Sequence, residues 1–566
     1  MNDPLFLGNQ GKIGLENGSL IDVSGSKNVT VAMERNVADV SVQSFNLRDA
    51  PYQRGGVLQG TTVKVDVRNL PTIVDASSAT ASIKRGIDER LGNGGTINLD
   101  SSGSVVVNTG AVTNISGGAV NYQSGYINTT RLIDASTGQV VDISAANPNQ
   151  HYSAIFGNYS EVHQKWGVTD KWNLISPLSS GRYEAGYTEG KAGGALNIQS
   201  PVTAWDGQLI AGTASSIYQR SNPVSGGSFT INLADNGNGA YPAGQFLSTQ
   251  NVLFQNASQS QAIGINDNIT SIKPIIISSG LVNSSGISNL TIKSAGSATV
   301  AKDTKLSMPM LSNFGVDASS INVLGSIYTP GGNIKLNALV NPGHSTSGQI
   351  NLQDNSQLNV SGRWVNDFQN GITSPLAINA GTVSLNANNQ INFAKGAAIK
   401  ADGGAQLNSA GNKVTAGNAG AIKLQGSNIS FAEPMQTQGV LSALGLNQGG
   451  TLNLITNKIN IGGNSTEADA LNLGVTNGVL DIATNAGFSN INLTSNYQDI
   501  TVKANTNLSF MAQNRLLDSS FRNQSGSSSL ADFSQVTTLP ETIKKPMSLS
   551  LNGLTGVTLE TGSQIN

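Results

Sequence analysis

The sequence predicts an all-β chain: a right-handed parallel β-helix with an extra-helical lobe and one short helix. Three observations point there: a composition rich in turn formers and poor in charge, a short Gly-led strand that recurs along the chain, and a spacing typical of stacked repeats. Only 12% of the 566 residues are charged, so little Glu, Lys or Arg is available to cover the outside of helices. Gly reaches 65 residues, well above ordinary usage. Gly, Asn and Ser suit turns, and Val, Ile and Thr suit strands.

The repeat is a Gly followed by strict apolar alternation. It is seen in Gly95-Thr96-Ile97-Asn98-Leu99, Gly194-Ala195-Leu196-Asn197-Ile198 and Gly227-Ser228-Phe229-Thr230-Ile231. It returns at Gly332-Asn333-Ile334-Lys335-Leu336, Gly348-Gln349-Ile350-Asn351-Leu352, Gly381-Thr382-Val383-Ser384-Leu385, Gly420-Ala421-Ile422-Lys423-Leu424 and Gly450-Thr451-Leu452-Asn453-Leu454. A second short strand often follows, as at Leu358-Asn359-Val360, Ile391-Asn392-Phe393, Ile429-Ser430-Phe431 and Ile459-Asn460-Ile461. Where the Gly-led copies are densest they lie roughly 16 to 40 residues apart, in the range of solenoid repeats.

A strand this short cannot bury its own apolar face, so each copy must stack on the previous one. That places Ile97, Leu99, Ile334, Leu336, Ile350, Leu352, Ile422 and Leu424 in one inward column. Parallel crossovers are right-handed in the large majority of cases. Asn at the turns can form ladders between coils. At ~20–30 residues per coil the chain would make on the order of 20 coils, a rod roughly 100 Å long. Separate β-sandwiches would show antiparallel hairpins with turn signals at regular intervals, and the spacing here is too variable for that.

The pattern divides the chain. Residues 1–121 read as coils, interrupted by a short helix near 77–91 that Asp75-Ala76-Ser77-Ser78 would cap and Gly92 would close. Ile83, Ile87 and Leu91 would give that helix one face to lay on the rod. Residues 122–192 read as a lobe. It opens with a hairpin in which Arg131-Leu132-Ile133-Asp134 turns through Ser136-Thr137-Gly138 into Val140-Val141-Asp142-Ile143. There follow His151, Tyr152, Phe156, Tyr159, His163, Trp166, Trp172, Tyr183 and Tyr187, a local concentration of aromatics that implies a small aromatic core. Coils resume over 193–509, an irregular excursion spans 510–546, and 547–566 reads as a final coil cut short.

Aromatics stack on sugar faces and anchor interfaces, so Tyr152, Tyr159, Trp166, Trp172 and Tyr183 are the candidate ligand platform. Local packing is the plainer account of the same residues. Little supports catalysis. Polysaccharide hydrolysis needs paired carboxylates, whereas Asp235, Asp267, Asp303, Asp317, Asp354, Asp402 and Asp481 are scattered singly. Asp134 and Asp142 could face each other across the hairpin with Arg131 nearby, as a surface pair. His344 sits alone in a Pro-Gly loop, and a single His makes no metal site. Gly237-Asn238-Gly239 after Asp235 is too short for a calcium repeat, and no nucleophile-elbow or phosphate-loop motif occurs. No catalytic residue, cofactor or metal is therefore expected. The formal net charge of −2, without a basic stripe, leaves no footprint for nucleic acid. The absence of Cys excludes disulfides, and no stretch approaches the ~18 apolar residues of a membrane span. The N-terminus, Met1-Asn2-Asp3-Pro4-Leu5-Phe6-Leu7-Gly8, is not a signal peptide, and the expectation is an internal piece of a longer exported chain.

Several segments resemble the filamentous haemagglutinin family of two-partner-secreted exoproteins. They are Leu47-Arg48-Asp49-Ala50-Pro51-Tyr52-Gln53-Arg54, Val57-Leu58-Gln59-Gly60, Lys64-Val65-Asp66-Val67-Arg68, Ile83-Lys84-Arg85-Gly86, Gly125-Tyr126-Ile127, Trp166-Gly167-Val168-Thr169 and Gly186-Tyr187-Thr188-Glu189-Gly190. Val360-Ser361-Gly362-Arg363-Trp364-Val365-Asn366-Asp367 is the most family-like of all. The resemblance covers about residues 40–400 and implies a right-handed β-helical exoprotein at the cell surface. It further implies export of the parent chain through an outer-membrane transporter barrel. The implied role is adhesion or aggregation through a host-cell, glycan or bacterial-surface ligand. The family's Asn-Pro-Asn-Gly-type secretion motif has only a poor counterpart in Asn147-Pro148-Asn149-Gln150. A carbohydrate-active β-helix enzyme and a stalk presenting an effector beyond this chain are the competing readings.

Overall fold

The computed structural model describes residues 11–566 apart from 157, 164–167, 174–180, 234–248, 257–272, 341–346, 374, 433–439, 464–466, 468, 484–485, 510–512 and 539–546. It is all-β with large parallel sheets, and the described residues include only four short α-helices. The chain winds through stacked coils whose strands line three faces. The first face is one sheet of eleven parallel strands running from Thr96–Asp100 through Asn333–Ala338 and Ala421–Gln425 to Ser548–Gly553. A seven-stranded sheet that includes Gln349–Leu352, Gln390–Phe393 and Asn428–Phe431 makes the second face, and a five-stranded sheet that includes Gln357–Asn359 makes the third.

Alternation places the predicted column inward. Ile97, Leu99, Ile334, Leu336, Ile350, Leu352, Ile422 and Leu424 are all buried in one continuous core. Burying such a side chain is worth about 1.5–3 kcal/mol, so the column, rather than any hydrogen bond, makes the stack stable. Each strand's leading Gly has a steric cause. A Cβ on Gly381 would lie 1.5 Å from the carbonyl oxygen of Gly332, and one on Gly420 would lie 2.0 Å from that of Gly381. At this corner successive coils approach too closely for any side chain.

The asparagine ladders run along outward strand positions as well, not only at turns. Asn333 donates to Asn313 at 2.8 Å and Asn313 to Asn289 at 2.6 Å. On the second face Asn392 donates to Asn351 at 2.7 Å and Asn351 to Asn322 at 2.9 Å. These partners also measure the coils: 20 residues separate Asn313 from Asn333, whereas 99 separate Asn98 from Asn197. Such long insertions correct the expectation of on the order of 20 coils. The eleven strands of the first sheet, at about 4.8 Å, span roughly 50 Å, and Lys12–Leu15 adds a further layer before them. Two coils also double back. Ile275–Ser278 pairs in parallel on the N-terminal side of Val252–Gln255, and Leu471–Leu473 does the same beside Ile459–Ile461.

Three excursions differ from the sequence reading. Residues 33–91 are not coils but largely a separate layer. The antiparallel strands Val37–Ser41 and Thr62–Asp66 contribute Val40, Val42, Val63 and Val65 to a second core. The predicted helix is two, Ser77–Ala81 and Ile87–Arg90, parted at Gly86, whose backbone is extended. Ile83 packs on the second core, but Ile87 and Leu91 are 67% and 59% exposed. The break rotates them off the face that one continuous helix would have presented. The hairpin Arg131–Asp134 with Val140–Asp142 forms and is extended by Tyr152–Ile155. Its Leu132, Ile143 and Ala146 join the same second core, so both insertions contribute to a core that, among the described residues, is mainly aliphatic. Finally, residues 513–538 are ordered: the strands Gln513–Leu517 and Ser534–Thr538 pair antiparallel, and Leu530 and Phe533 pack on Trp364, Ala405 and Leu407.

Candidate functional site

The lobe joins the stack through an antiparallel stem, whose base is extended by Val29–Val31 in parallel with Ala119–Tyr122. Ala119–Tyr122 pairs with Tyr187–Gly190, and Gly125–Ile127 pairs with Arg182–Glu184. The register sets Tyr122 opposite Tyr187 and Tyr126 opposite Tyr183. The first pair is stacked, with centroids 4.6 Å apart and planes 7° from parallel. The second meets edge to face at 5.3 Å. Tyr218, from the loop of a neighbouring coil, meets Tyr187 edge to face at 4.6 Å. Tyr126 and Tyr183 are 54% and 60% exposed, whereas Tyr122 and Tyr187 are half-buried.

Beneath the tyrosines lies a buried charge network. Arg68 holds Asp66 through two bonds, Nε to Oδ1 at 2.9 Å and Nη2 to Oδ2 at 2.7 Å, and reaches Glu184 at 2.7 Å. Its guanidinium carbon lies 4.5 Å from the centroid of the Tyr218 ring, a cation–π contact. Burial opposes the Arg68 charge, but its bonds to Asp66 and Glu184 prevail and raise its pKa. Burial likewise opposes ionisation of Glu184, yet Arg68 and Arg182 hold it below the ordinary glutamate value. Burial, with Glu189 and Glu89 nearby, pushes the Tyr122 hydroxyl up to about 12. Both network carboxylates are neutralised by arginine, so neither is placed as a free general acid or base.

The five candidate platform residues separate. Tyr183 is exposed on the stem. Tyr152 is buried in the second core, and its hydroxyl accepts from the Asn147 amide at 2.8 Å, which removes it from any surface platform. Tyr159 and Trp172 stand opposite each other in the register of Asn158–His163 with Val168–Asn173. Trp166 lies outside the described residues, as do Asp235, Asp267, His344 and the Gly237–Gly239 turn. Asp134 and Asp142 do not face each other, because Arg131 stands opposite Asp142. Asp134 instead accepts from the Ser136 and Thr137 amides, and Asp142 from Ser144. Both carboxylates serve the local backbone.

Tyr126, Arg68 and Tyr218 escaped the sequence reading. One signal was present: Tyr122 and Tyr126 are spaced four apart, as are Tyr183 and Tyr187, so an antiparallel ribbon can pair both sets across its strands. Among the described residues no group of three or more His, Asp or Glu is placed to hold a metal ion. No described helix is long and apolar enough to cross a membrane. Comparison with protein-family models, curated proteins and solved structures finds no match.

Proposed function

We propose that this chain is the structural and adhesive rod of a secreted cell-surface exoprotein related to the filamentous haemagglutinins, and that its coils wind as a right-handed parallel β-helix. The strong right-handed preference of parallel crossovers supports the winding. The parent chain would reach the surface through an outer-membrane transporter barrel, and the rod would attach to a host-cell, glycan or bacterial-surface ligand without catalysis. The observation that carries the adhesive reading is the exposed Tyr126–Tyr183 pair. It is held on a paired ribbon at the root of a lobe, and Arg68 holds Glu184, the residue that follows Tyr183 in the strand. Rigid exposed aromatics present large contact area at little entropic cost, and the face of a pyranose matches them.

Attachment of the purified chain to cells and to an immobilised glycan panel tests this. Replacing Tyr126 and Tyr183 together by Ala should weaken attachment by about 1–3 kcal/mol per ring, with the melting transition little changed. Undiminished attachment of the folded double variant would remove the stem from the adhesive account.

A further inference from the structure

The excursions touch one another across coils that are not neighbours in the stack. The stem reaches Tyr218 and Gln219: the Tyr218 hydroxyl donates to Glu184 at 3.2 Å, and Gln219 exchanges two hydrogen bonds with the Gly190 backbone at 2.9 and 3.0 Å. The next residue, Arg220, clasps Asp367 through both oxygens at 2.6 and 2.8 Å. Its carbonyl also accepts from the Leu376 amide at 2.9 Å. Arg220 and Asp367 are 147 residues apart, and Asp367 is almost fully buried. Between them the first face gains four strands, Ser228–Asn232, Asn289–Lys293, Asn313–Ala318 and Asn333–Ala338. The coils at Asn289 and Asn313 are the tightest of these, only 24 and 20 residues from their successors, and the longer loops on either side meet over them.

The chain of contacts continues toward the far end. Gln406 donates to Asp367 at 2.6 Å. Asn366 donates to the carbonyls of Arg522 and Gln524 at 3.1 and 2.7 Å, and the Trp364 indole donates to that of Gln524 at 3.1 Å. Arg515, from the same excursion, pairs with Asp402 at 3.0 Å. The buried carboxylate Asp367 and the partly buried Asp402 are thus each neutralised by an arginine from a distant coil.

We propose that these excursions form a longitudinal tie along the rod, so that under tension it yields in blocks of several coils rather than one coil at a time. In a simple stack each coil contacts only its neighbours, and an end can peel by single repeats. Here the coils between Arg220 and Asp367 cannot be drawn out while the two loops stay clasped. Removing one partner would leave the other charge buried and unpaired.

The test is single-molecule extension of the full chain held at its two ends. The wild type should release the 147 residues between Arg220 and Asp367 as one step of about 500 Å of contour. In Arg220→Ala that step should divide into increments of about 70 to 210 Å, the contour of coils 20 to 61 residues long. Arg220→Lys, which keeps the charge but not the double bond, should retain the large step at lower force, and it carries the test if Arg220→Ala does not fold. A tie that only added stability would lower the force in Arg220→Ala without changing the step length. Coil-sized steps in the wild type, or an undivided step in Arg220→Ala, would overturn the proposal.

Discussion

Consider the neighbours Ile350 and Asn351. Ile350 is fully buried and stacks in register between Ile321 and Ile391. Asn351 points outward, donating to Asn322 and accepting from Asn392. Ile350→Ala removes three carbons from a close-packed column, and the cavity cannot close without moving both adjacent coils, so the expected cost is about 2–5 kcal/mol. Asn351→Ala removes two ladder bonds that water partly replaces, at about 0.5–1.5 kcal/mol each. Ile350→Asp should be worse than either, by several kcal/mol, because no partner waits for the carboxylate. Amide hydrogen exchange over 349–352 and 390–393 reads local opening without assuming that the rod unfolds in one step. With tenfold for every 1.4 kcal/mol, Ile350→Ala should speed exchange there on the order of 30- to 3,000-fold. If Asn351→Ala costs as much as Ile350→Ala, the strand is shifted by one residue and the inward column is misassigned, since such a slip exchanges the two faces.

Two further outcomes are expected. Glu184 titrates below its ordinary value in the fold, so the unfolded chain binds more protons around and below pH 4.5; stability should fall as the pH drops through that window. Hydrogen exchange in the stem between pH 5 and 3 reads the effect, and Glu184→Gln should flatten the profile; an unchanged profile would remove the arginine network as its cause. In addition, the purified chain should not cleave polyuronates or neutral glycans, because Asp66 and Glu184 are both engaged by Arg68. Turnover lost on Asp66→Asn or Glu184→Gln would contradict that.

The inward column was legible because alternation is a local property: Gly332-Asn333-Ile334-Lys335-Leu336 displays its buried face within five residues. Coil number was not, because partners 20 and 99 residues apart carry the same local pattern. The doubling back of Ile275–Ser278 was hidden for the same reason, since a strand reads alike on either side of its neighbour. Residues 33–91 read as coils in the sequence because Val37–Ser41 and Thr62–Asp66 also alternate, and only their antiparallel pairing distinguishes them. Tyr183, a candidate in the sequence, is exposed, whereas Tyr126, its edge-to-face partner, was not a candidate. A lone Tyr carries no sign of exposure until the strand opposite it is known. Tyr152 misled in the other direction, because a ring with a hydroxyl suits a core whenever a backbone amide meets the oxygen.

Pairing direction separates two kinds of structure in this chain. Every pairing within the three large sheets is parallel, whereas antiparallel pairs occur in the excursions, at Val37–Ser41 with Thr62–Asp66, at Arg131–Asp134 with Val140–Asp142 and at Gln513–Leu517 with Ser534–Thr538. A hairpin closes a short loop and gains its contacts at once, while a parallel strand must wait for the whole coil to return. The hairpin Arg131–Asp134 with Val140–Asp142 closes the shortest loop of the three and is therefore able to form locally. A loop that only hung from the coils would add closure entropy and little else. Here the loops bury cores of their own around Val63 and Leu132 and around Trp364 and Phe533, and they clasp one another at Arg220 and Asp367. The coils supply length, while the excursions supply both the exposed rings and the contacts that bind distant coils together. On this division a substitution in the inward column should loosen neighbouring coils alone, whereas one at Arg220 should change how coils far apart respond to each other.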